Sequence, residues 1–224
     1  MSRLKLLARA LAFYVFTALL LSVLLFLPAG TVHYPGAQRL MALLLIPMLL
    51  LGAVLFVRSP ALLEKRLHSK EKEAVQAGVI AASAVMFVLS FVLAGLDFRF
   101  GLTHVPGWLV NLACALLLAS YALYAEVMRE NAYLSRTVEV QENQKVVDTG
   151  LYGIVRHPMY AVTLVLFLSM PLVLGSWLSL IVLLAYPVII AARIRDEERV
   201  LLQGLPGYAE YTQRVRWRIL PFIW

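Results

Sequence analysis

Cysteine is almost absent from this chain: Cys114 is the only one in 224 residues. A lone thiol excludes an intrachain disulfide and a cysteine metal cluster, so no metal site is expected. Cys114 lies inside an apolar block, where its role is packing. Charge is scarce as well. Asp, Glu, Lys and Arg together make up 15% of the residues, against about a quarter in ordinary soluble domains. Acidic residues are the scarcer sign, 13 against 20 basic, which leaves a net charge of +7. The 12 glycines include no Gly-x-Gly-x-x-Gly run, so the dinucleotide-binding fingerprint is missing. There is no internal repeat, no low-complexity tract and no nucleic-acid-binding motif, and no nucleic-acid partner is expected.

What is plentiful is apolar side chain. Hydrophobic residues reach 62%, and they are gathered into long blocks, the signature of membrane insertion. The blocks run approximately over Ala10–Leu27, Leu40–Val57, Ala77–Leu96, Val105–Ala125 and Met159–Ala192. Each of the first four suits one helix across a hydrocarbon core of about 30 Å. The last is too long for one helix, and Pro171, Gly175 and Ser176 in its middle read as a tight turn. It is expected to be a helical hairpin, Met159–Leu174 and Trp177–Ala192, with both arms short. The expected fold class is therefore all-α: a polytopic integral membrane helical bundle of about six spans. The apolar core of the first block exceeds the 7–15 residues of a signal peptide, so it is read as a retained span.

The excess positive charge tests this count. The N-terminal tail holds Arg3, Lys5 and Arg9; the second loop Arg58, Lys65, Arg66, Lys70 and Lys72; the fourth Arg129, Arg136, Lys145 and Arg156. The C-terminal tail holds Arg193, Arg195, Arg199, Arg214, Arg216 and Arg218. The opposite loops hold only Arg39 and Arg99. Such an asymmetry follows the positive-inside rule and puts both termini in the cytoplasm. The charged stretch Glu64–Glu73 reads as a solvated helix end that anchors topology. Residues 1–125 are expected to form a four-helix membrane scaffold, and residues 126–224 the working region.

Three polar segments of that region carry candidate chemistry. In the loop Glu126–Arg156, the runs Val138-Glu139-Val140-Gln141 and Val146-Val147-Asp148-Thr149-Gly150 suggest extended backbone closed by a glycine turn. In the next segment, Arg156-His157-Pro158-Met159-Tyr160, Pro158 suits the first turn of a helix, with His157 near its N-cap. A helix start offers free N–H groups to an anionic ligand, and Tyr152 and Tyr160 bring aromatic faces that attract cations. In the third, Arg193 and Glu197 share one helical face, and Arg193 sits at the edge of an apolar block, where a charge needs a partner or a function. A tight hairpin brings the last two segments together, so Arg156, His157, Tyr160, Arg193 and Glu197 are expected to converge. Each has a plainer reading too, as juxtamembrane anchor, aromatic belt or solvated helix end. Tyr208, Tyr211, Trp217, Phe222 and Trp224, interleaved with Arg214, Arg216 and Arg218, read as a headgroup-layer anchor, or else as a lid over the site.

On these residues the chain resembles the isoprenylcysteine carboxyl methyltransferase family, within a wider group of membrane-embedded phospholipid methyltransferases. The matching pieces are Gly150-Leu151-Tyr152, Arg156-His157-Pro158-Met159-Tyr160, Arg193-Ile194, Glu197-Glu198 and Leu201. The tail Leu205-Pro206-Gly207-Tyr208 with Glu210-Tyr211, Pro221 and Trp224 looks like a bacterial branch. The resemblance covers roughly residues 126–224. It implies S-adenosyl-L-methionine as methyl donor. By position, the cofactor pocket would comprise Gln141, Gln144, Lys145, Val146, Val147, Tyr152, His157, Pro158, Met159, Tyr160, Glu197 and Glu198. Arg193 would bind the acceptor carboxylate and, with His157, act in catalysis. Gln144 replaces a frequent family His, and Leu151 a frequent Pro.

The resemblance thus implies an integral membrane methyltransferase acting on a lipophilic small-molecule or lipid acceptor, with membrane lipids as its other partners, in the bacterial inner membrane. A phospholipid amine or small thiol is the alternative acceptor. A sterol-reductase-like enzyme using NADPH, or a non-catalytic membrane protein, is the alternative from another class.

Overall fold

A computed structural model describes residues 2–67, 74–131, 133, 134 and 140–224. Lys70, Lys72, Arg136, Val138, Glu139 and the end of the Glu64–Glu73 stretch lie outside the described residues. The described residues form helices and connecting loops. They are α1 (Arg3–Ala29), α2 (Pro35–Arg58), α3 (Pro60–Leu67), α4 (Ala74–Phe100) and α5 (Gly107–Glu130), a 3-10 turn at Gly150–Gly153, then α6 (Pro158–Leu174), α7 (Trp177–Leu183), α8 (Tyr186–Gly204) and α9 (Tyr208–Arg214). The all-α membrane bundle read from the sequence is what forms.

Five runs are long and apolar enough to cross a membrane: α1, α2, most of α4, α5, and α7 with α8. The sixth apolar helix, α6, has only 17 residues, about 25 Å at 1.5 Å per residue, and so falls short of a hydrocarbon core of roughly 30 Å. The first arm of the hairpin is short, as expected. The second differs from the single helix Trp177–Ala192. It breaks after Leu183 and restarts at Tyr186, because Pro187 has no N–H for the Leu183 carbonyl and its ring would collide there. Beyond Ala192 the helix continues as a polar rod to Gly204, which carries Arg193, Glu197 and Glu198 in helical register.

The main core joins α1, α2, α4, α5 and α6 through Leu25, Leu40, Ala94, Leu117 and Val173, all fully buried. Cys114 packs against this cluster, the role expected of it. α6 lies along α5 more extensively than any other pair of helices, so the N-terminus of α6 is placed by a long packed seam.

The hairpin turn is pinned at the far end of the bundle. Gly175 takes a left-handed conformation (φ 82°) and caps α6 with backbone bonds to Pro171 and Leu172, as the turn reading required. Ser176 caps α7 by accepting from Ser179 N (3.1 Å), while its own hydroxyl donates to Asp97 Oδ2 (2.5 Å). Asp97 is buried and also accepts from the Thr103 backbone N–H (2.7 Å) and hydroxyl. A second pin runs from the Tyr34 hydroxyl to the Leu174 carbonyl (2.7 Å), with Tyr34 stacked on Phe98 at 4.1 Å.

Removing Asp97 strands the buried Ser176 hydroxyl and two half-buried Thr103 donors at once, and a buried donor left unpaired costs roughly 1–3 kcal/mol. Asp97→Ala is expected to lower stability by about 3 kcal/mol or more, read as a fall in the thermal midpoint in detergent. Asp97→Asn, which keeps one acceptor oxygen, is expected to lose less.

Candidate active site at the start of the hairpin

The site grows from the polar rod of α8 and the first turn of α6. Pro158 opens α6 with His157 at the N-cap, as its ring geometry favours. Tyr160, one turn in, donates its hydroxyl to Glu197 Oε2 (2.6 Å) and accepts from Arg193 Nε (2.8 Å). His157 Nδ1 stands 3.9 Å from Glu197 Oε1, and its ring centroid 5.7 Å from that of Tyr160. Arg156, His157, Tyr160, Arg193 and Glu197 converge as expected.

Behind this row is a second one. Arg156, His157 and Glu198 are all buried. Arg156 Nε donates to Glu198 Oε1 (2.7 Å), Arg218 Nε donates to Glu198 Oε2 (2.8 Å), and His157 Nε2 lies 3.3 Å from Oε1. Arg156 also donates through Nη1 to the carbonyls of Val215 and Arg216, both at 2.8 Å. The backbone N–H groups of Arg156 and His157 bond to the carbonyls of Trp217 (2.9 Å) and Arg218 (2.8 Å). The tail is thus folded back and strapped across the helix start.

The enclosed part of the cleft in front of these rows is about 100 Å³, and it is lined by residues of the loop, α6, α8 and α9. Of the residues expected in a cofactor pocket, Gln144, Lys145, Val146, Val147, Tyr152, His157, Met159, Tyr160 and Glu197 line it, as does Arg193. Three stand behind the wall. Gln141 accepts from Lys65 Nζ (2.6 Å), donates to the Tyr133 carbonyl, and bonds through its N–H to Gln144 Oε1 (2.9 Å), so it holds the loop. Pro158 is buried in the helix start. Glu198 is taken up by Arg156, Arg218 and His157.

The cleft also takes in Asn131, Tyr133, Leu134, Leu201, Leu205, Tyr208 and Tyr211, which sequence reasoning did not place there. Tyr208 and Tyr211 had signalled a membrane surface; their spacing of three on a short helix after Gly207 (φ 83°) turns both inward. The Tyr211 hydroxyl donates to the Tyr152 carbonyl (2.7 Å), and the Tyr152 hydroxyl accepts from Asn131 Nδ2 (3.0 Å). The Tyr208 hydroxyl is buried without a hydrogen-bond partner among the described residues. Burial raises both phenols well above their ordinary range, with the nearby Glu198 raising Tyr208 further, so both are protonated donors at neutral pH.

Gly150 (φ 51°) closes the loop as a turn glycine, and a Cβ there would overlap the Glu130 carboxylate. That carboxylate accepts from the Leu151 N–H (3.1 Å) and so seats the 3-10 turn that carries Tyr152.

A polar cleft assembled from these segments invites comparison with known proteins. Residues 111–203 match the model of the isoprenylcysteine carboxyl methyltransferase family. That stretch is similar to this family. Protein-S-isoprenylcysteine O-methyltransferase B of Arabidopsis thaliana is 25% identical over 183 residues, 74% of this chain and 87% of that protein. The cobalt-zinc-cadmium resistance protein CzcN of Cupriavidus metallidurans is 31% identical over 129 residues, 57% of either chain. The Delta(14)-sterol reductase of Mus musculus is 30% identical over 91 residues, 39% of this chain and 22% of that one. The chain thus spans a little over half of CzcN and about a fifth of the reductase. In fold, it resembles the eukaryotic intramembrane Ras methyltransferase ICMT, with a TM-score of 0.56 at 19% identity over 98% of this chain and 85% of that one. The family match begins inside α5.

Arg156→Ala leaves Glu198 buried without a main partner and frees two tail carbonyls. Breaking a buried pair costs about 3–5 kcal/mol. The variant is expected to release the tail, seen as new protease cleavage after residue 204, and Arg156→Lys to rescue it only in part, since an ammonium lacks the guanidinium fork.

Proposed function

We propose that this chain is an integral membrane methyltransferase that uses S-adenosyl-L-methionine and acts on a lipophilic acceptor, in the manner of an isoprenylcysteine carboxyl O-methyltransferase. The observation that supports it most is the meeting of two unlike spaces across the first turns of α6. On one side is the polar cleft, to which Met159 and Tyr160 contribute. On the other is an apolar cavity of about 680 Å³ between α1, α2, α5 and α6, to which Thr163 and Leu166 contribute. A water-soluble donor and a hydrocarbon-bearing acceptor can approach one helix start from opposite sides. On this reading residues 1–125 are the scaffold and residues 126–224 the catalytic region, with both termini on the cytoplasmic face of a bacterial inner membrane, as the basic loops favour.

The chemistry of the cleft fits the donor. Glu197 offers a carboxylate to its positive groups. Lys145 and the unpartnered Tyr208 hydroxyl offer donors to a carboxylate or ribose oxygens, and Val146, Val147 and Leu205 offer apolar walls to a purine. S-adenosylmethionine, when bound, supplies an electrophilic methyl group on a sulfonium. The chain's own work is positioning, which accounts for much of the barrier lowering in such displacements. Tyr160 locks Arg193 and Glu197 at a fixed separation, so the acceptor-binding cation and the donor-binding anion are held by one hydroxyl. An acceptor carboxylate is ionised at pH 7 and needs no general base. Arg193 presents a planar fork that suits it. An amine acceptor would have to lose a proton first, with His157 or Glu197 as base.

The partial match to a sterol reductase supports a second reading, in which the same cleft takes NADPH. Titration of the purified full chain with each nucleotide separates the two. S-adenosylmethionine is expected to bind and NADPH is not; the reverse result overturns the methyltransferase reading. Labelled methyl is expected to pass to a prenylcysteine analogue in preference to phosphatidylethanolamine or a small thiol. Glu197→Ala is expected to weaken donor binding at least tenfold, in line with loss of a charged hydrogen-bonding partner; an unchanged affinity would remove Glu197 from the donor site.

A further inference from the structure

The two tyrosines of α9 are placed alike and used differently. Gly207 (φ 83°) precedes the helix, the Tyr208 N–H bonds the Leu205 carbonyl (3.2 Å), and the Tyr211 N–H bonds the Gly207 carbonyl (3.1 Å). Both residues are buried, 4% and 2% exposed, with ring centroids 5.6 Å apart. Tyr211 gives its hydroxyl to the Tyr152 carbonyl (2.7 Å). The Tyr208 hydroxyl is the one buried side-chain polar atom among the described residues without a hydrogen-bond partner. Both tyrosines lie beyond the stretch that matches the family.

An orphaned hydroxyl of this kind destabilises the free protein, because its bonds to water are lost and nothing replaces them. Native chains rarely keep such a group without a reason. Its surroundings say what would satisfy it. Tyr208 lines the polar cleft, and it packs in an apolar cluster with Leu205 and Val215, against which Val146 and Leu201 also lie. That wall suits a base or a sugar and offers no counter-charge to an ionic group. Burial raises the phenol well above its ordinary range, and the carboxylates of Glu198 and Glu197 raise it further. The hydroxyl is therefore a donor at neutral pH, and another carboxylate beside it would be repelled. The acceptor it suits is neutral: a ring nitrogen or a sugar oxygen.

We infer that Tyr208 is a binding residue for the nucleoside half of the methyl donor: its hydroxyl donates to a neutral acceptor on the adenosine group, and the apolar wall around it packs on the same group. The inference rests on the methyltransferase reading above and assigns Tyr208 to one half of the donor. The amino-acid half is left to the charged side of the cleft, where Glu197 stands with Tyr160 and Arg193. The C-terminal tail then has two tasks. Residues 215–218 strap the start of α6, and α9, just before them, supplies a wall of the donor site. Tyr208 destabilises the free chain and strengthens the loaded one, the opposition of sign expected of a group kept for a ligand.

The test compares Tyr208→Phe and Tyr211→Phe with wild type, as full chains in detergent. Without ligand, Tyr208→Phe is expected to keep or raise the thermal midpoint, since it removes an unpaired group. Tyr211→Phe is expected to lower it, since it strands the Tyr152 carbonyl. The probes are S-adenosylmethionine and methylthioadenosine, which keeps the nucleoside and lacks the amino-acid half. Both are expected to bind Tyr208→Phe roughly tenfold more weakly than wild type, as for loss of one hydrogen bond. A lower ligand-free midpoint in Tyr208→Phe overturns the assignment, as does an unchanged affinity for S-adenosylmethionine. Weakened S-adenosylmethionine binding with unchanged methylthioadenosine binding also overturns it, because the hydroxyl then meets the amino-acid half. A wild type that binds methylthioadenosine and not S-adenosylmethionine overturns the methyltransferase reading, while weaker methylthioadenosine binding by Tyr208→Phe still supports the nucleoside contact. A wild type that binds neither overturns both.

Discussion

The carboxylate of Glu198 is where α6, α8 and the C-terminal tail are tied together. It is buried, and a buried carboxylate costs several kcal/mol unless it is paired. Here Arg156, His157 and Arg218 meet it from two other elements. Once that node is made, the rest of the site has little freedom. Arg156 holds the tail carbonyls, the tail holds the backbone ahead of α6, and the helix start presents His157 and Tyr160 towards α8. Glu197, the next residue on the rod, is thereby aimed into the cleft. Adjacent glutamates thus take different tasks. One is consumed in structure and the other faces the ligand space with part of its surface open.

The far end of the bundle solves a related problem in a different way. A short helix such as α6 cannot be positioned by spanning the bilayer, so it needs a mechanical reference. The Asp97–Ser176–Thr103 cluster and the Tyr34–Leu174 bond supply it. They fasten the hairpin turn to α2 and α4 inside apolar surroundings, where each hydrogen bond is hard to exchange for one to water. The scaffold helices therefore set the depth and tilt of α6, and with them the position of its polar start.

Two spaces result, and they draw on different parts of the chain. The polar cleft is built almost wholly from residues after Asn131, and it overlaps the family match. The apolar cavity is built mostly from α1, α2 and α5, and of these only α5 lies within the family match.

The sequence by itself determined the class of the molecule. Long apolar runs and one-sided basic loops have few physical outcomes other than a helical membrane bundle. Pro158 and Gly175 mark the ends of α6 because ring geometry and a left-handed turn leave little choice. The convergence of His157, Tyr160, Arg193 and Glu197 was legible too, since helical register and one tight turn decide it. Only the tertiary structure decided which Glu faces the cleft. Glu197 and Glu198 are identical in chemistry and neighbours in sequence, and the choice depends on where Arg156 and Arg218 arrive. It likewise decided that the tail folds inward to bring Tyr208 and Tyr211 into the cleft, and that Pro187 splits the second arm. These outcomes depend on contacts between segments far apart in the chain, and local periodicity carries no record of them.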